Sequence, residues 1–120
     1  MKDMANPTRS NQNRSIEPLV SEFASDRDMA DLVEFFISEL QSRVGAMRDA
    51  CQSGDAARLR GLAHQLKGAA GGYGFPSITQ SAAELESALV DATEGETSAV
   101  AEKTEALIAL CKRAAAGSGP

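Results

Sequence analysis

The strongest constraint on this chain is one long apolar stripe. Met29, Leu32, Val33, Phe36, Ile37, Leu40, Val44, Met47 and Cys51 recur at the three- and four-residue spacing of one helical face. The pattern lasts about six turns, too long for a β-strand. Asp28, Asp31, Glu34, Glu39, Arg43 and Arg48 lie largely off it. Such a helix must bury its apolar side against other elements. Ser25 or Asp26 is placed to cap its start, Gly54 to end it, and Asp55 to cap the next helix. A link that short folds the chain back into an antiparallel hairpin of two long helices. Phe35 sits beside the stripe. It is open to these readings: core edge, packing on the short first helix, or part of an exposed apolar patch for a partner, with core edge preferred.

The second helix is predicted from Asp55 to Tyr73. Leu59, Leu62, Ala63, Leu66, Ala69, Ala70 and Tyr73 form its inner face. At about 100° per residue the stripe centres nearly opposite His64, the only histidine in the chain. Arg60, Lys67, Gly68 and Gly71 fall at i−4, i+3, i+4 and i+7 and share the histidine's side. Burial in the core fits poorly, because the apolar stripe points away. An idle surface histidine stays open. A metal site is not expected, since there is no second histidine and Cys51 and Cys111 lie at unrelated spacing. A nucleophile has positive support: a neutral exposed imidazole keeps one ring nitrogen with a lone pair. Lys67, one turn along, can offset an incoming anion, and the glycines leave room for another protein to close over the ring.

Gly71, Gly72 and Gly74 either terminate this helix or let a neighbour approach closely. They do not form a phosphate-cradling loop, which needs Gly-Lys-Ser/Thr after a strand. Pro76 opens a third long helix, with Ile78, Ala82, Leu85 and Leu89 inward. Glu86 lies beside that stripe, either at the boundary with a neighbouring helix or solvated on the surface. Thr93-Glu94-Gly95-Glu96 reads as a turn. A last helix runs from about Thr97 to Arg113, with Val100, Thr104, Leu107, Leu110 and Cys111 inward. Ahead of the first long helix, Ile16, Leu19, Val20 and Phe23 have helical spacing, with Pro18 in the first turn. A short helix there would cover one end of the core.

The expected fold is therefore all-α: an antiparallel four-helix, up-down-up-down bundle with a short additional N-terminal helix. Residues 1–15 read as a disordered tail, 16–115 as the bundle domain, and 116–120 as a frayed C-terminus. Aromatic residues make up only 4% of the chain and Trp is absent, which favours aliphatic helix packing. The net charge of −5 argues against nucleic acid as a partner. No apolar run suits membrane insertion or a signal core, so a cytoplasmic location is expected. The two cysteines read as small buried hydrophobes rather than a disulfide framework.

With those residues in view, the chain resembles the histidine phosphotransfer (HPt) domain family. Ala63-His64, Leu66-Lys67-Gly68, Gly74 and Leu85-Glu86 carry the resemblance. Phe36, Leu40, Gly54-Asp55 and Leu59 precede the histidine as family members would place comparable residues. The likeness spans about Ile16 to Arg113. It implies a phosphorelay intermediate in two-component signal transduction. His64 would accept a phosphoryl group from a receiver-domain aspartyl phosphate or a sensor or hybrid histidine kinase, and pass it to another response-regulator aspartate. Lys67 would stabilise phosphoryl charge. Glu86 is at the offset where several such domains bond the imidazole; here that and a solvated glutamate weigh equally. Arg60, Gly61, Gly68 and Gly71 would form the docking face. No intrinsic cofactor, no autonomous kinase activity and a monomer are implied, with Mg²⁺ only in the partner receiver. Three rivals are a docking module without phosphate transfer, the phosphotransfer domain of a chemotaxis-type kinase, and a kinase dimerisation hairpin. The last usually has an acidic residue just after its histidine and a proline soon after, whereas Gln65-Leu66-Lys67-Gly68 follows here.

Overall fold

A computed structural model describes residues 18–91 and 97–116. The described residues contain four α-helices and no strand: α1 (Arg27–Gln52), α2 (Ala56–Gly72), α3 (Pro76–Asp91) and α4 (Thr97–Ala116). The expected tail at 1–15, the turn at 93–96 and the last residues from 117 lie outside the described residues. α1 packs on α2 and α4, and α3 packs on α2 and α4, so the helices close a ring around one core. Sequential helices joined by such short links run antiparallel.

Local chemistry explains the boundaries. Asp26 Oδ1 accepts the amide of Asp28 at 3.0 Å and starts α1. α1 ends where Gly54 turns to φ +73°, a left-handed conformation that costs glycine little. Asp55 Oδ1 then accepts the amide of Arg58 at 3.1 Å and starts α2. Pro76 occupies the first position of α3, where its missing amide hydrogen costs nothing.

The core is aliphatic, with one aromatic cluster at an end. Phe36, Leu40, Met47, Leu59, Leu66, Ile78, Leu85, Leu107 and Ile108 are fully buried. The Phe36 ring stacks on Tyr73 at 4.8 Å between centroids and lies 5.8 Å from that of Phe75. Phe75, in the link between α2 and α3, and Ile108 and Ala114 of α4 are core residues outside the expected stripes. Cys111 is buried and Cys51 half-buried, and both are free thiols.

Two expectations are corrected. The stripe of α1 is narrower than its sequence suggests: Leu32 is exposed, and Phe35 is 58% exposed rather than at the core edge. The expected N-terminal helix is also not seen over its described part. Residues 18–21 have no regular secondary structure and 22–25 form a turn, while Ile16 lies outside the described residues. Nucleating a helix this short is unfavourable, and two of its backbone donors find tertiary acceptors instead. Leu19 N–H donates to the Arg113 carbonyl at 2.9 Å, and Glu22 N–H to the Gly74 carbonyl at 2.8 Å. Ser21 Oγ donates to the Tyr73 carbonyl at 2.6 Å. Leu19 and Phe23 pack against the core while Val20 stays exposed, so this strap covers one end of the bundle without being helical.

Candidate functional site

α2 turns its buried side, Leu59, Ala63, Leu66 and Ala70, to the core. His64 is thereby carried outward, with its side chain 65% exposed. It is not isolated. Glu86 reaches across from α3, with its side chain only 17% exposed, and both of its carboxylate oxygens are engaged. Oε2 lies 2.9 Å from His64 Nδ1. Oε1 accepts from Lys67 Nζ at 2.7 Å. Lys67 is itself one turn along α2 from the histidine, with its side chain 35% exposed.

The carboxylate decides the imidazole tautomer. The Lys67 hydrogen bond, and then that of His64, hold the Glu86 carboxyl below its ordinary value of 4.5. At neutral pH it is ionised and can only accept hydrogen bonds. Nδ1 must therefore carry the proton in the 2.9 Å contact. In the neutral ring that leaves the lone pair on Nε2.

The remaining candidates fall into two groups. Arg60, Gly61 and Gly68 are exposed on α2. A Cβ added at Gly61 or Gly68 would meet nothing within 4 Å, so the surface beside His64 is low and open. Gly71 is different. A Cβ there would stand 3.2 Å from Thr79 Oγ1, so its bare side is turned towards α3. Thr79 Oγ1 donates to the Lys67 carbonyl at 3.0 Å, tying α3 to the turn of α2 that carries Lys67. Sequence reasoning did not single out Thr79. Its signal is a matched spacing: Thr79 precedes Glu86 by seven residues, as His64 precedes Gly71 by seven.

Gly74, ten residues after His64, sits at φ +87°. A Cβ there would run into Ser21 Oγ, and would stand 2.9 Å from the amide nitrogen of Glu22. This glycine therefore serves the strap at the end of the bundle, not the imidazole. Among the described residues no three His, Cys, Asp or Glu side chains are grouped to hold a metal ion. No helix among them is long and apolar enough to cross a membrane.

No curated protein and no solved structure matches the chain. The family model described as the Hpt domain matches residues 31–117, which takes in nearly all of α1 and the whole of α2, α3 and α4. An exposed histidine on a four-helix scaffold and that match agree, and the chain belongs to the Hpt domain family, whose chemistry is histidine phosphotransfer in two-component signalling.

Proposed function

We propose that this domain is a phosphorelay intermediate and that His64 Nε2 is its phosphoryl acceptor. The observation that carries the reading is the contact of His64 Nδ1 with the ionised Glu86, on a ring otherwise open to solvent. The Nε2 lone pair attacks the phosphorus of an aspartyl phosphate on a receiver domain. The P–N bond forms as the P–O bond to the aspartyl carboxyl breaks, and the aspartate leaves with the electron pair. The ring keeps its proton on Nδ1 and becomes cationic, and Glu86 stabilises that charge. Passing the group to a second receiver runs the same step in reverse. A sensor or hybrid kinase is the other donor class that fits.

Lys67 places a positive charge one turn from the acceptor and anchors the second oxygen of Glu86. In this reading it steadies the carboxylate before transfer and offsets phosphoryl charge during it. Gly61, Gly68 and Arg60 supply the docking surface around the ring, which a receiver's active site can approach closely. Mg²⁺ and the acidic residues that hold it belong to that receiver. The domain works as a monomer and does not phosphorylate itself.

The test is direct. Purified protein is mixed with a phosphorylated receiver, and acid-labile, alkali-stable label is followed. His64→Gln is expected to take up none. Equal labelling of His64→Gln and parent would remove His64 from the reaction. A folded parent that binds the receiver without taking up label would instead make the domain a docking module. Faster labelling by a kinase catalytic domain than by any phospho-receiver would favour the chemotaxis-type reading.

A further inference from the structure

Glu86 can face His64 only if α2 and α3 are held in one register. The two helices run antiparallel, and sliding one by a single residue moves a side chain about 1.5 Å along the axis. That shift is enough to break a 2.9 Å contact such as the one between Nδ1 and Oε2. Neither His64 nor Lys67 is rigid enough to set the register, since both are long or exposed side chains whose partner is the group to be placed.

A second contact between the same helices joins the residue one turn along α2 from His64 to the residue two turns back along α3 from Glu86. Thr79 Oγ1 donates to the Lys67 carbonyl at 3.0 Å. In a regular α-helix this carbonyl also receives the amide of the residue four positions on, here Gly71. The hydroxyl is thus seated against the α2 backbone itself, not against a movable side chain. Residue 71 has no Cβ to crowd it; one built there would stand 3.2 Å from the Thr79 oxygen, a tight contact that the hydroxyl would have to yield to by a few tenths of an ångström. From Gly71 back to His64 is seven residues on α2, and from Thr79 on to Glu86 is seven on α3. Seven residues bring a helix round to almost the same face after about two turns. The Gly71–Thr79 contact and the His64–Glu86 contact therefore lie on one line along the seam.

We infer that Thr79 and Gly71 form a register pin that positions Glu86 against His64, and so selects the nucleophilic tautomer. Thr79 is a positioning residue: it touches neither the imidazole nor the phosphoryl group. This role rests on His64 being the acceptor, as proposed above. Its first readout does not depend on transfer.

The ring nitrogens of His64 are observed by ¹⁵N NMR at neutral pH in the parent, Thr79→Val and Thr79→Ser, and phosphoryl uptake from a receiver is timed in each. Valine keeps the shape and removes the hydroxyl. The expected result is a fall in the Nδ1-protonated population in Thr79→Val, with uptake slower by about fivefold, the scale of one lost hydrogen bond. Thr79→Ser is expected to restore both. Gly71→Ala, which presses a methyl group on the same hydroxyl, should reproduce the tautomer change. In a Thr79→Ala background, where that oxygen is gone, it should add nothing. Folded Thr79→Val with the parent's tautomer populations would overturn the pin, as would failure of serine to rescue or strict additivity of the two sites. If Thr79→Val does not fold, the Gly71→Ala pair of measurements decides. A parent that takes up no label refutes the acceptor role alone, because the tautomer measurements still stand or fall by themselves.

Discussion

Glu86 has two oxygens and two unlike partners, and that division of labour is the chemistry of the site at the scale of single residues. One oxygen faces His64 Nδ1 and the other holds Lys67 Nζ. Glu86→Gln keeps one acceptor but loses the charge, so it cannot serve both partners equally. Phosphoryl uptake is expected to slow by roughly tenfold, read by timed labelling. Lys67→Ala should slow transfer to a similar degree while the far-ultraviolet circular dichroism stays that of the parent; unchanged kinetics would take Lys67 out of the mechanism. The pH dependence has a definite sign. Lys67 and His64 lower the carboxyl of Glu86 below 4.5 in the folded protein. Its contribution to stability is therefore present above the ordinary glutamate range and is lost as pH falls through the lowered value. Parent and Glu86→Gln should converge in stability as acid is added below that range, which urea titrations at several pH values would show. Cys111 lies at the other extreme. Burial pushes its thiol up to about 12, so slow reaction with a thiol reagent under native conditions is expected.

At the scale of elements, the turn between α2 and α3 does more than reverse the chain. Gly74 at φ +87° presents its carbonyl to Glu22 N–H, while Tyr73 presents its own to Ser21 Oγ. The strap over residues 18–26 is thus tied to the bundle by the amides of Leu19 and Glu22 and the hydroxyl of Ser21, while the amides of Phe23, Ala24 and Asp26 bond within it. Gly74→Ala would force a side chain into a left-handed conformation and against the strap. A loss of about 1–3 kcal/mol is expected in chemical denaturation. His64 lies far enough along α2 that its labelling rate in the folded variant should be close to the parent's. Asp26 and Asp55 cap α1 and α2 by side-chain oxygens. Replacing either with alanine should cost about 1 kcal/mol, seen in the same experiment.

At the scale of the whole molecule, stability comes from the ring of buried aliphatic side chains and not from the surface charges. Lys103–Glu84 and Arg48–Glu105 lie at 3.7 and 4.0 Å on exposed positions, where such pairs contribute about 0–1 kcal/mol. Leu66 is fully buried on the α2 face opposite His64. Leu66→Ala should destabilise the fold by about 2–5 kcal/mol, checked by urea denaturation. The rigid core is also what lets an exposed imidazole have a fixed orientation. α2 is held from inside by Leu59, Ala63, Leu66 and Ala70, and from the side by Thr79 and Glu86.

Periodicity alone was enough to draw the four helices, because each buries one face and a 3.6-residue repeat is a local property of the chain. The same repeat placed His64 and Lys67 outward on one side of α2. The caps at Asp26 and Asp55 and the glycine at position 54 were equally legible, since their chemistry involves neighbours only a few residues away. What periodicity could not weigh was how wide a face the neighbours would cover. Leu32 and Phe35 are therefore exposed although they lie in or beside the stripe, and Phe75 is buried although it lies in a link. It also left Glu86 undecided between a solvated glutamate and a partner for the imidazole. Only the packing of α3 on α2 brings residues 22 positions apart to 2.9 Å. The strap shows the same limit: its apolar spacing suits a helix, but Gly74 and Arg113 supply acceptors that no local pattern reveals. Local hydrogen bonding and side-chain period are written along the chain, whereas register and coverage arise from which faces meet, and that is settled only when the helices close on one another.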